Sequence, residues 1–150
     1  MKFLTSIFVF VFLGLNILFA QCPGLEPFDI PSYQKGADFV SVVKILKVKQ
    51  TGRLPSVRPK EHPHGVEMNV QLVKAFKGKD LVPEDQQNSF VIKTAISGKS
   101  GKQVLKKWTK NTELLVFARP NEESGLNADY CDLMSGERVD RLVRALEKLN

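Results

Sequence analysis

Val66, Met68, Val70 and Leu72 alternate with Glu67, Asn69, Gln71 and Val73. A period of two is the signature of a half-buried antiparallel strand, because successive side chains of an extended chain point to opposite faces. The segment runs over residues 66–77 and Gly78 ends it. Residues 37–49, ADFVSVVKILKVK, carry apolar groups on both alternating faces and then charge at one end. That pattern predicts a strand buried on both sides at first and running out into solvent. Residues 89–96 and 112–118 read as further strands, 126–131 as a short last one, and 103–108, QVLKKW, fit a short strand after a Gly/Ser turn at 97–102. From Glu137 the period changes. Val139, Leu142, Val143, Leu146 and Leu149 form one apolar helical stripe, with Ser135 and Gly136 before it as a cap region. Five or so antiparallel strands followed by a helix predict a small barrel or curled sheet with the helix packed on it.

The remaining segments are connections. Residues 21–36 contain three prolines and two glycines, which predicts an extended N-terminal stretch laid on the barrel by Leu25, Phe28, Ile30 and Tyr33. Residues 50–65 form a long loop, and residues 79–88 a polar link. No internal repeat is visible.

The first twenty residues stand apart. Lys2 is followed by a nearly unbroken apolar run to Ala20, the form of a secretory signal peptide cleaved after Ala20. The other reading is a retained anchor, since the run is near the lower limit for spanning a bilayer. Gln21, Cys22, Pro23 and Gly24 follow at once and cannot continue a helix. A lipid on Cys22 would need a small residue directly before it, where Gln21 stands. Of the 150 residues, 21–150 then form the mature domain, long enough for one core. The whole chain carries 22 basic and 16 acidic residues; removing Lys2 leaves the mature part a formal +5. No second apolar run approaches a span, so no stable membrane insertion is expected after cleavage, and the location is secreted, periplasmic or cell-envelope. The chain's two cysteines, Cys22 and Cys131, are in an exported setting where thiols usually pair. A bridge would close a loop of about 100 residues and stabilise by about 4–5 kcal/mol in the chain-entropy treatment. Two free thiols are the other possibility.

Taken in order, "ADFVSVVKILKV", "VEMNVQLVKAFKGKD", "SFVIKTA", "TELLVFARP", "GLNADYC" and the closing helix resemble the TIMP-like OB-fold. This is the inhibitory domain of tissue inhibitors of metalloproteinases, also called the netrin-like module. The most specific pieces are the K-A-F-K-G-K turn and the L-L-V-F-A-R strand, and the resemblance spans essentially the whole mature chain. The signal end Phe19-Ala20-Gln21 is similar to those of some gut and marine bacteria, which points to a divergent bacterial relative. The resemblance implies a mainly β fold, a small five-stranded OB-type β-barrel with a C-terminal α-helix. Inhibitors of the family begin Cys-x-Cys. The first cysteine pairs with a Cys-Gly after the third strand, and the second with the cysteine ending the last strand. Cys131 matches that last cysteine and Cys22 its partner, so the resemblance implies a Cys22–Cys131 disulfide. Ser100-Gly101 stands at the Cys-Gly position, and the first cysteine's place falls at Ala20, so both halves of the other bridge are missing together. In the family, the free amine and carbonyl of the terminal residue bind the protease's catalytic zinc, displacing the attacking water. Here that terminal residue is Gln21, whose amine would be lost on cyclisation. The implied contact ridge is Gln21, Cys22, Pro23 and Gly24, with Ser97, Gly98, Ser100 and Gly101 beside it.

Other groupings offer less. Glu61, His62 and His64 form E-H-P-H, a set that can bind zinc or copper, but in a loop that implies no preformed site. Lys99, Lys102, Lys106, Lys107 and Lys110 surround Trp108. Single-strand nucleic-acid binders need several aromatics on such a face. A solvated basic surface attracted to anionic glycans or membranes fits better, with Trp108 as a packing residue and no nucleic-acid partner. No G-x-S-x-G, H-E-x-x-H or phosphate loop is present, and nothing brings Asp38, Glu67, Glu113 or Asp129 together. No catalytic residue, cofactor or metal site is expected. Two readings result: a binder or inhibitor of a zinc metalloprotease, or a non-inhibitory extracellular or cell-envelope module that contacts another protein.

Overall fold

The computed structural model describes residues 29–54, 63–121, 125–129 and 133–149, with Lys99 and Ser100 by backbone alone. Gln21, Cys22, Pro23, Gly24, Cys131, Glu61, His62 and residues 1–20, read above as a signal peptide, lie outside these residues. The strands are β1 (Phe39–Arg53), β2 (His64–Lys77), β3 (Phe90–Ile96), β4 (Glu113–Asn121), β5 (Gly125–Asn127) and β6 (Leu133–Met134). The helices are α1 (Ile30–Gly36), α2 (Gly98–Lys107) and α3 (Arg138–Glu147).

β1 pairs antiparallel with β2, and β2 with β3. β3 pairs in parallel with β5, β5 antiparallel with β4, and β4 returns antiparallel to β1. Five strands thus close on themselves in the order 1-2-3-5-4-1. β6 adds to β4 through Leu115↔Met134 and Val116↔Leu133. With α2 between the third and fourth strands and α3 after the last, this is the OB-type barrel with a C-terminal helix. Closure covers most of the sheet edges that would otherwise seek other chains.

The alternation of side chains explains which segments are apolar on one face and which on two. Phe39, Val43 and Ile45 of β1 point into the barrel beside Met68, Val70, Ile92, Leu114 and Val116. The intervening Val40 and Val42 join Leu115 and Phe117 of β4 in a second cluster with Ile30, Val139, Leu142 and Leu146. β1 and β4 lie beneath α1 and α3 and carry apolar groups on both faces, with Phe76 near the end of β2 and Met134 of β6 packed at the margin of the same cluster. β2 and β3 keep one polar face. The far end of β1, from Lys47 to Arg53, leaves this cover, and its residues are exposed except Val48.

Several segments differ from the sequence expectation, and residues 50–53 and 64–65, expected in the long loop, instead extend β1 and β2. Residues 21–36 were expected to be extended, but Ile30–Gly36 form a helix. Pro31 is at its start, where a fixed φ and a missing N–H cost nothing. Its last carbonyls are held from both sides. The Lys77 ammonium donates to Gln34 O (2.9 Å) and Ala37 O (2.5 Å), and Arg119 Nε–H donates to Gly36 O (2.8 Å). The Gly/Ser turn at 97–102 and the strand at 103–108 are instead the single helix α2. Gly101, Val104, Leu105 and Trp108 recur at the helical interval and turn to the barrel; Gly101 and Trp108 are buried, and Val104 and Leu105 pack on the core. The last strand stops at Asn127, short of the expected Cys131, and β6 was not foreseen.

Candidate functional site

The register of β2 and β3 places His64 opposite Ile96, Gly65 opposite Ala95, Val66 opposite Thr94 and Glu67 opposite Lys93. Gly65 and Ala95, the two smallest side chains of this stretch, therefore sit side by side on the outer face. A Cβ on Gly65 would run into Thr51 Oγ1, so any larger residue here would have to push the Thr51 side chain aside. Walls rise on either side of this low floor. One consists of Thr51, Leu54 and Pro63 at the end of the β1–β2 hairpin, drawn together by Leu54 N–H donating to Pro63 O at 2.7 Å. The other is the end of β4 with Arg119, Pro120 and Asn121, together with Asn127, Ala128 and Asp129 after β5. The groove between them has a volume of about 880 Å³.

Its polar groups are Glu67, Lys93, Arg119, Asn127 and Asp129 on the walls and floor, with Ser97 at one end. Lys93 Nζ lies 3.7 Å from Glu67 Oε1, an ion pair open to water and worth little to stability. Thr94 Oγ1 is shielded and has no hydrogen-bond partner among the described residues. Arg119 separates this groove from a second one of about 530 Å³ beside α1, lined by Ser32, Tyr33 and Phe117 and sharing Asp129.

The backbone matters as much. Ala128 N–H donates to Lys93 O at 3.0 Å, so the Lys93 carbonyl faces β5. Alternation then turns the N–H and C=O of Ala95 to the same side. The β3–β5 pairing ends at Lys93↔Asn127. Among the described residues β3 therefore runs on past its partner with an open edge toward the groove, able to hydrogen-bond an extended chain.

Of the expected ridge, Ser97 borders the groove and is the N-cap position of α2. Gly98, with φ of +64°, and Ser100 form the helix's first turn. Gly101 is buried against Ile96 and offers no outward surface. Asp129, two residues before Cys131, borders the same groove. His64 starts β2, half-buried, opposite Arg53 and Ile96. Asp38 and Glu113 lie away from the groove, while Glu67 and Asp129 both line it. Among the described residues no three metal-ligating side chains converge, and no helix is long and apolar enough to cross a membrane. Sequence reasoning missed Gly65, Ala95 and Arg119. Their signal is a matching of small residues across two strands, visible only once the register is known.

No protein-family model matches the chain, and no curated protein is significantly similar to it.

Proposed function

We propose that residues 21–150 form an exported TIMP-like OB module that acts by protein contact at this end of the barrel. The observation that carries the reading is that Ser97 and Asp129 border one groove. In the resembled family the chain ends after the third and last strands are the two places to which the N-terminal segment is tied. The Cys22–Cys131 bridge and the cleaved terminus at Gln21 belong to the same proposal. On this reading Gln21 projects from the ridge toward a zinc endopeptidase. One of the family's two bridges is missing, so the ridge is looser and loses more ordering entropy on binding. Inhibition should be weak or absent, at best micromolar, equivalent to about −8 kcal/mol. The test is a titration of the purified exported protein against a panel of zinc endopeptidases, with the terminal amine free and acetylated. Inhibition no tighter than micromolar is expected, and acetylation should abolish whatever inhibition exists. Nanomolar inhibition indifferent to the block would place the contact elsewhere.

A second reading, a non-inhibitory extracellular or cell-envelope binding module, is favoured by the open edge of β3. An edge beside a low floor of Gly65 and Ala95 suits an extended segment of a partner, with no role for the terminus. A pyroglutamate at Gln21 in the exported protein, read by mass spectrometry, would favour this reading over the first.

A further inference from the structure

Helix α2 carries Lys99, Lys102, Lys106 and Lys107 in ten residues, with no acidic residue. Lys110 follows at once, and the whole stretch 97–112 holds five lysines and no acid. Residues 21–150 contain 21 basic and 16 acidic groups, and setting these five lysines aside leaves 16 of each. The net positive charge of the mature chain is thus numerically that of this one segment. The barrel-facing side of α2 is Gly101, Val104, Leu105 and Trp108, which packs on the core. Lys102, Lys106 and Lys107 therefore face water, and all three are exposed, as is Lys110. None of the four is in an ion pair among the described residues. Asn111 N–H donates to Ile45 O (2.8 Å) and Thr112 O accepts from Ile45 N–H (2.9 Å), which sets Lys110 beside β1. There the exposed Lys47 and the half-exposed Lys44 continue the positive surface, with Glu113 opposite Lys44 as the nearest acid in the pairing.

Lys102 and Lys106 are like charges four residues apart and Lys99 stands at the positive end of the helix dipole, both unfavourable, whereas Lys106 and Lys107 in the last turn suit its negative end. Packing the opposite face needs none of these charges. The pattern suits a partner that supplies the missing negative charge along a line. Ten helical residues span about 15 Å. The face holds lysines and no arginine, so it reads charge density and not the planar fork that carboxylates favour. Trp108 is buried and offers no stacking surface for a base. No large apolar side chain of α2 is exposed to enter a bilayer.

We propose that the outer face of α2, with Lys110, binds a linear sulfated polysaccharide. The inference concerns a different surface from the groove and stands whether or not the protein inhibits a protease. The test uses the purified exported protein with heparin as the probe, titrated over a range of salt. Binding should weaken steeply as salt rises, through release of bound counterions. The triple variant Lys102→Gln, Lys106→Gln, Lys107→Gln should bind at least about tenfold more weakly, with the slope of log K against log salt reduced by about 2. A control triple, Lys35→Gln, Lys79→Gln, Lys148→Gln, removes equal charge from other exposed positions and should retain most of the affinity. Replacing the same three helix lysines by arginine keeps the charge and should keep binding, which separates charge from folding damage. Equal losses in the two glutamine triples would overturn the proposal. So would the absence of salt-dependent binding by the unaltered protein. Tighter binding to single-stranded DNA, or to vesicles of phosphatidylglycerol and phosphatidylcholine in equal parts, than to heparin would overturn it as well.

Discussion

Gly78, the residue that ends the alternating strand, shows how much one position can decide. Its φ is +69°, and a Cβ there would collide with the carbonyl oxygen of Asp38, next to the start of β1. Gly136, ahead of α3, has φ of +87° and open space where a Cβ would go. The two glycines separate two costs. Gly136→Ala meets the left-handed backbone penalty alone and should destabilise by about 1 kcal/mol. Gly78→Ala adds a backbone clash that no rotamer change relieves, and should cost about 3 kcal/mol. Urea unfolding of both variants checks the order; equal losses would mean that the Gly78 turn shifts freely away from Asp38. At the same scale, Lys77 and Arg119 show why lysine and arginine in a strand are not always solvated ends. Both spend their donors on the carbonyls that close α1.

Among the elements, α3 behaved as its periodicity predicts and α2 did not. Val139, Leu142 and Leu146 are buried, Val143 is partly covered, and Leu149 at the frayed end is half exposed. Lys74 of β2 and Glu147 add an ion pair across the helix edge. Leu142 is fully buried against the outer faces of β1 and β4, so Leu142→Ala should cost about 2–5 kcal/mol. Thermal or urea unfolding measures this, and a loss under about half a kcal/mol would mean that α3 does not pack as described. For α2, the two glycines at Gly98 and Gly101 looked like a turn because glycine disfavours helix interiors. Burial outweighs that propensity here. Gly101 is needed small against Ile96, and Val104, Leu105 and Trp108 gain more by covering the barrel end than an exposed strand would.

For the whole molecule, the decisive fact is that the two faces of β1 and β4 serve two cores. One core fills the barrel, where Phe39 meets Phe90 edge to face at 6.0 Å. The other lies under α1 and α3, where Tyr33 meets Phe117 at 5.6 Å. The N-terminal helix is therefore part of the domain from Asp29 onward. A bridge between Cys22 and Cys131 would fasten the segment before it to the chain beyond Asp129, which lines both grooves. Non-reducing peptide mapping of the exported protein should find that linked pair. Two freely alkylated thiols would remove it, and with it the ridge on which the proposed inhibition rests.

The strands and the closing helix were legible from residue order because their periods are local. Alternation at Val66 to Leu72 and the stripe from Val139 to Leu146 need no knowledge of distant neighbours. The doubled apolar faces in the first half of 37–49 likewise announced burial on both sides. What covers each side is a matter of topology. Five strands close because β4 returns to β1, and no local pattern in Leu114 to Ala118 names Val40 or Ser41 as its partner. The same holds for the groove. Gly65 and Ala95 are ordinary small residues until the β2–β3 register sets them side by side. Ser97 and Asp129 are 32 positions apart in sequence and border one groove only because β3 and β5 run parallel. Local periodicity determined which segments bury a face; chain closure over long sequence separations alone decided which faces meet and what is left open between them.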